Sequence, residues 1–250
     1  MLIDCSGASR FYLHRKCPGL VDEKQLLIGF MSIDEANIRI GDVGLPPPAV
    51  KPAALSATDR YLVEQCSDRK YLFSFQGRSG KADGLKKRKG LEQLNSFDDV
   101  LVEIRRQSTY LEPSQEILRQ NPEMMKRRQE NDEPGGYRDI LRQSTFVGAP
   151  RGDNLFSYRF SEAMSAGAIP VVYADGWVPP FSNVVNWTEC AVFIGEDDYS
   201  RTRDILIKIP KEVRCKMQRC ALDFWDRYAN NRRGWLDGLV EVALSQTGEV

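Results

Sequence analysis

The sequence predicts an α/β fold in which a parallel sheet is covered on both faces by helices. Two observations lead there. Short apolar runs at Tyr71–Phe75, Asp99–Ile104, Ser144–Ala149, Ala168–Tyr173 and Cys190–Ile194 alternate with helix-like stretches, chiefly Leu155–Ala166, Thr202–Lys208 and Glu212–Tyr228. Strands and helices alternating at this spacing imply parallel strands joined by helical crossovers. The run at Ala168–Tyr173 is apolar on consecutive positions, through Ile169, Val171 and Val172. A strand buried on both faces has that pattern.

The remaining elements follow from local signals. Leu26–Phe30 reads as a short strand. Asp42–Leu45 leads into Pro46-Pro47-Pro48, which forces an extended, non-helical course. Ala57–Cys66 reads as a helix with Thr58 as its cap. Gly77 and Arg78 follow the Tyr71–Phe75 strand at once, where glycine permits a turn or a close backbone approach. Lys81–Leu94 reads as a helix, and its cluster Lys86, Lys87, Arg88 and Lys89 as a solvated face. Arg105–Gly136 is polar and broken by Pro113, Pro122 and Pro134, partly helix and partly loop. Tyr137–Arg142 reads as a short helix, Phe181–Trp187 as a turn or short helix, and Gly234–Leu244 as a last helix.

Lys plus Arg and Asp plus Glu each number 35, so the formal net charge is zero and no global field favours nucleic acid or an anionic membrane. No apolar run reaches the ~18 residues that a bilayer span needs. Met1–Leu13 lacks the basic start and apolar core of a signal peptide. Six cysteines (Cys5, Cys17, Cys66, Cys190, Cys215 and Cys220) permit disulfides without fixing their pairing. Cys5, His14 and Cys17 lack a close fourth ligand, so no metal is expected. Asn186-Trp187-Thr188 is a glycosylation sequon, usable only in a lumenal protein.

The chemistry concentrates between Phe146 and Asn186. The strand through Thr145, Phe146 and Val147 runs into Ala149-Pro150-Arg151-Gly152-Asp153-Asn154, and a helix is expected from Leu155. Ligands of open parallel sheets bind beyond the carboxyl ends of the strands. Free N–H groups at a helix start favour an anion. Arg151 supplies a cationic fork, Gly152 permits close approach, and Asp153 or Asn154 is placed to cap the helix. Neither the dinucleotide glycine fingerprint nor a phosphate-loop motif is present. Along the helix Phe156, Phe160, Ala163 and Gly167 form the buried stripe. Arg159 and Glu162, three apart, share another face. If that face lines the cleft, Arg159 neutralises a diphosphate and Glu162 accepts from ribose hydroxyls; otherwise the two form a plain intrahelical ion pair. Asp175, beyond the next strand, is placed to contact a sugar. Trp177 either packs on the ligand or anchors the core, where Phe181 and Trp187 also belong.

Arg151-Gly152, Ser157-Tyr158-Arg159-Phe160-Ser161-Glu162-Ala163, Ala166-Gly167-Ala168-Ile169-Pro170-Val171-Val172, Asp175-Gly176-Trp177, Pro180-Phe181-Ser182 and Asn186-Trp187 together resemble the exostosin family of glycosyltransferases, most of all its heparan-sulfate-polymerising branch. Tyr71–Arg78 is similar to the strand and turn that open that family's donor-binding domain. The sequence departs from the family at Val147 and Gly148, where the family has cysteine and leucine.

The resemblance implies the C-terminal, Rossmann-like half of a B-type glycosyltransferase: an inverting enzyme that moves a sugar from a UDP-sugar to a glycan or other acceptor hydroxyl, without a metal or other cofactor. Arg78, Arg151, Gly152, Asn154, Arg159, Glu162 and Asp175 are the donor-binding residues it implies. It also implies a related glycosyltransferase as partner and, for a full-length protein anchored as in the family, a Golgi-lumen location; the anchor typical of the family is a further departure, since this sequence shows no membrane segment. Residues 1–50 are then a remnant of, or link to, an N-terminal acceptor domain, 51–230 the donor domain, and 231–250 a C-terminal helix or tail. No catalytic base is named by these residues, since it is expected from the acceptor domain. A shortened gene model is expected on that account, and a non-catalytic nucleotide-sugar-binding or complex-stabilising subunit is the alternative reading.

Overall fold

A computed structural model describes residues 28–38, 42–106 and 133–247. Cys5, His14, Cys17 and most of the Arg105–Gly136 stretch lie outside the described residues. Two short parallel strands, β1 (Ile28–Phe30) and β2 (Asp42–Gly44), form one small sheet. The main sheet holds β3 (Tyr71–Ser79), β4 (Val100–Arg106), β5 (Ser144–Pro150), β6 (Ile169–Tyr173) and β7 (Val192–Phe193). All its strands are parallel, in the order β4-β3-β5-β6-β7. The helices are α1 (Ala57–Glu64), α2 (Asp83–Lys87), α3 (Tyr137–Arg142), α4 (Tyr158–Ser165), α5 (Thr202–Leu206), α6 (Lys211–Phe224) and α7 (Arg232–Thr247). The α/β class with both sheet faces covered is therefore present.

Side-chain alternation along the strands builds the two faces. Ile169, Val171 and Tyr173 of β6 pack on one side with Phe73, Phe75, Leu91 and Leu206. Val172, between them, turns to the other side with Phe160, Met164 and Phe181. Both faces are apolar, which is why β6 carries no alternation in polarity.

Local chemistry fixes the helix ends. The cap of α1 is Ser56 rather than Thr58: its hydroxyl accepts from the Asp59 amide while the Asp59 carboxylate accepts from the Ser56 amide. α4 ends in a left-handed turn at Gly167, φ +60°. The Gly167 amide donates to the Met164 carbonyl, and the Ala168 amide to that of Ala163. The helix expected over Lys81–Leu94 is instead α2 followed by a 3₁₀ segment, Arg88–Ser96. At three residues per turn, Leu85, Arg88, Leu91 and Leu94 fall on one face, and all four are buried. The solvated-face reading therefore fails for Arg88.

Residues on both flanks share the sheet's core. Met31, Val43 and Leu45 pack with Trp177, Phe181, Phe224 and Tyr228, and so do Leu239 and Val242 of α7. The Trp177 indole N–H donates to the Met31 carbonyl at 3.0 Å. With 4% of its surface exposed, Trp177 is a core anchor and not a ligand platform; Phe181 and Trp187 are core as expected. Two disulfides, Cys66–Cys215 and Cys190–Cys220, both end on α6.

A Cβ placed on Gly167 would lie 2.7 Å from a Val63 methyl, in a conformation that L residues rarely adopt. Gly167→Ala is expected to destabilise the fold by about 2 kcal/mol. Calorimetry should show Tm lowered by roughly 4–8 °C; an unchanged Tm would contradict the turn described here.

Candidate functional site

Strand order reverses between β3 and β5: from β3 the chain crosses outward to β4, then returns to β5 on the other side. At such a point the two connections leave in opposite directions and open a crevice at the carboxyl ends of the strands. The paired register of β3 with β5 ends at Ser74 and Val147, while the two strands continue to Ser79 and Pro150. Their last residues thus diverge, and carbonyls that would otherwise face each other need other donors.

Two arginines meet that need. Arg88, only 8% exposed, donates from Nη2 to the Pro150 carbonyl (2.9 Å), from Nε to that of Arg151 (3.1 Å) and from Nη1 to that of Arg78 (3.3 Å). Arg159, on the first turn of α4, donates from Nε to the Gln76 carbonyl at 2.6 Å. Among the described residues no carboxylate bonds the Arg88 guanidinium directly. Burial, then the nearby Arg159, and less strongly Arg78, pull its pKa down to about 9, against opposing effects of Tyr199 and Asp153. A cation held in that setting gains from a bound anion.

The crevice is a cleft of about 670 Å³. Its walls are the end of β3 (Gln76, Gly77, Arg78), the end of β4 (Glu103, Arg105), the loop after β5, and the start of α4. Glu133 to Tyr137 border it as well. The helix start differs from expectation. α4 begins at Tyr158, not Leu155, and its N-cap is Ser157, with no side-chain cap from Asp153 or Asn154. The Gly152 amide closes a turn on the Asn154 carbonyl, and the Leu155 amide donates to the Ser32 hydroxyl, so these groups serve the loop and the N-terminal segment. Ser157, Tyr158 and Arg159 nevertheless border the cleft, so the amino end of α4 opens onto it.

Of the residues expected from sequence, Arg78, Gly152, Asn154 and Arg159 line this cleft. Arg151, Glu162 and Asp175 lie behind its wall. Arg151 Nε pairs with Glu196 Oε1 at 2.8 Å, and Lys87 Nζ with Glu196 Oε2 at 3.3 Å. Asp175 and Glu196 each accept from the other's amide, at 3.1 and 3.3 Å. This knot braces the Arg151 loop against the loop after β6. Gly84 completes the packing: a Cβ there would lie 2.4 Å from the Gly152 carbonyl oxygen.

Glu162 is 1% exposed and already engaged. It accepts from the Lys51 amide at 2.8 Å, from the Tyr137 hydroxyl, and from Arg159 Nη1 at 3.3 Å. Burial first, and the Glu162 charge with it, raise the Tyr137 phenol well above its ordinary range, so it stays a neutral donor. The Arg159 guanidinium also lies over the Tyr137 ring, 5.3 Å from its centre. The intrahelical ion pair is thus present, with Arg159 turned to the cleft and Glu162 behind it. Sequence reading missed Arg88, Tyr137 and Glu196. The three-residue spacing of Leu85, Arg88, Leu91 and Leu94 was the available sign for Arg88; Glu196, in the polar run with Asp197 and Asp198, offered none. Among the described residues no group of three or more His, Cys, Asp or Glu side chains is placed to hold a metal ion.

The model of the Exostosin GT47 domain matches residues 13–211. The chain belongs to the exostosin GT47 family. The Exostosin-1 homolog of Caenorhabditis elegans is 27% identical over 235 residues, covering 90% of this chain and 59% of that protein. Exostosin-1 of Mus musculus is 32% identical over 147 residues, covering 58% and 18%. This exostosin-family chain therefore spans about three-fifths of the nematode relative's length and under one-fifth of the mouse protein's. Among solved structures, a glycosyltransferase of Rickettsia africae superposes with a TM-score of 0.45 at 12% identity, covering 87% of this chain and 63% of that one.

Removing Glu162 would strand a buried phenol and the Lys51 amide and leave the half-buried Arg159 guanidinium without its carboxylate. Glu162→Ala is expected to cost about 3 kcal/mol of stability, read as a lower urea midpoint. A midpoint equal to that of the unaltered chain would show that the carboxylate does not organise this wall.

Proposed function

We propose that the cleft binds a UDP-sugar, and that the chain is the donor-binding half of an inverting B-type glycosyltransferase acting on a glycan or other acceptor hydroxyl. The observation that carries this reading is the convergence of Arg78, Arg88, Arg159 and the amino end of α4 on one crevice at the switch point of a parallel sheet. When the bond between sugar and diphosphate breaks, negative charge grows on the leaving oxygen. Cations fixed in place before the reaction stabilise it without reorganising. Arg159 and Arg88 are fixed in that way by the carbonyls they bind. Gly152 and Asn154 shape the loop that meets the diphosphate, while Arg151 and Asp175 act through Glu196 to hold it. Glu162 orients Arg159 and Tyr137, and the ribose hydroxyls expected from sequence would reach it only if Tyr137 gives way.

Membership of the exostosin family supports the reaction class. The base that deprotonates the acceptor is assigned to the acceptor domain, to which residues 1–50 belong or connect. A related glycosyltransferase is the protein partner in this reading, and the chain is read as one of the heparan-sulfate-polymerising branch. Two disulfides fit an oxidising compartment, in keeping with the Golgi lumen.

Calorimetric titration of UDP tests the site. Arg159→Ala and Arg88→Met should each weaken binding at least tenfold, about 1.4 kcal/mol, with both variants verified as folded by circular dichroism. Equal affinity in both variants would place the nucleotide elsewhere. Binding retained alongside no transfer from any UDP-sugar, in the presence of the acceptor domain, would favour the non-catalytic subunit reading.

A further inference from the structure

Asn186-Trp187-Thr188 is the sole Asn-X-Ser/Thr triplet of the sequence, and neither the core nor the cleft accounts for its outer residues. The middle residue is the anchor. Trp187 is 5% exposed, packs against Phe160 and Phe224, and donates its indole N–H to the Pro180 carbonyl at 2.6 Å. With Trp187 fixed inward, Asn186 and Thr188 are held outward, and both are exposed.

The bonds of Asn186 divide by atom. Its Oδ1 accepts from the Thr188 hydroxyl at 2.7 Å and the Thr188 amide at 3.3 Å. Its Nδ2 makes one bond, to Glu189 Oε1 at 2.8 Å. A primary amide nitrogen carries two protons. Exchanging one of them for a substituent leaves every one of these bonds available, so the loop has the same hydrogen bonding before and after modification.

The surroundings have room for a bulky group. Asn186 and Thr188 border an open groove of about 620 Å³ that shares no lining residue with the cleft. In the same groove Phe193 and Val184 stand 44% and 38% exposed. Phe193 belongs to β7, the edge strand of the main sheet. An exposed apolar edge is a site for unwanted strand pairing unless something covers it.

We propose that Asn186 carries an N-linked oligosaccharide, whose first sugars lie over the Phe193 and Val184 surface and shield the β7 edge. The proposal rests on the lumenal reading given above. The donor class is a polyprenyl-diphosphate oligosaccharide. Asn186 Nδ2 forms a bond to C1 of the first sugar as the C1–O bond breaks. The diphosphate leaves with that electron pair, and one Nδ2 proton passes to a base of the transferring enzyme.

The test is mass spectrometry of the full chain recovered from its own cells, with and without peptide-N-glycosidase, together with mapping of its disulfides. The expected result is a glycan on the Asn186 peptide that the glycosidase removes. It should be lost in both Asn186→Gln and Thr188→Ala, and kept in Thr188→Ser. UDP affinity should be unchanged in the Thr188→Ala variant, while its light scattering on warming begins at a lower temperature. Intact disulfides with an unmodified Asn186 would overturn the glycan while sparing the lumenal reading. Free thiols with an unmodified Asn186 would overturn both.

Discussion

The Arg88 guanidinium is the contact on which the rest of the cleft depends. Where β3 and β5 part company, backbone carbonyls lose their partners, and burying them unsatisfied would cost more than the strands gain by continuing. Arg88 reaches the carbonyls of Arg78, Pro150 and Arg151 and ties both strand ends to the 3₁₀ segment. The crevice stays open because a cation holds it open. The same cation then faces the space it creates. Architecture and electrostatics at this site are thus one interaction seen from two sides.

Around that contact the polar groups fall into two separate circuits. Glu196 gathers Arg151, Lys87 and the Asp175 backbone behind the loop after β5. Glu162 gathers Arg159, Tyr137 and the Lys51 backbone behind the opposite wall. The Glu196 carboxylate pairs with two cations, Arg151 and Lys87, and the Glu162 carboxylate with one, Arg159. Among the described residues Arg88 has no carboxylate bond of its own. The balance of charge therefore tilts positive where the strands diverge, in a molecule whose net charge is zero.

What the sequence revealed and what it hid divide along physical lines. β6 and α3 were legible because an all-apolar run and a compact helical stretch depend on neighbours a few residues away. Arg159 and Glu162 were legible as a pair because three residues on a helix are neighbours in space. Their division of labour was not, since it depends on Tyr137 and Lys51, distant in sequence. The start of α4 was misplaced by three residues: the helix begins at Tyr158, and Leu155 lies in the preceding loop with its amide on Ser32, which is distant in sequence. Arg88 was hidden by its company: among three lysines it reads as surface, and only a switch from 3.6 to three residues per turn brings it inside. Trp177 was open between ligand and core, and the N-terminal segment that settles it adds backbone bonds as well as apolar contacts.

The Cys66–Cys215 bridge has a topological meaning. Its two ends bracket β3 through β7, so the whole cleft-bearing sheet lies inside one covalent ring of the chain. A single cut of the backbone anywhere between those cysteines opens the ring without releasing a piece. The walls of the crevice stay tethered through α6, and such a nick becomes separable into fragments only under reducing conditions.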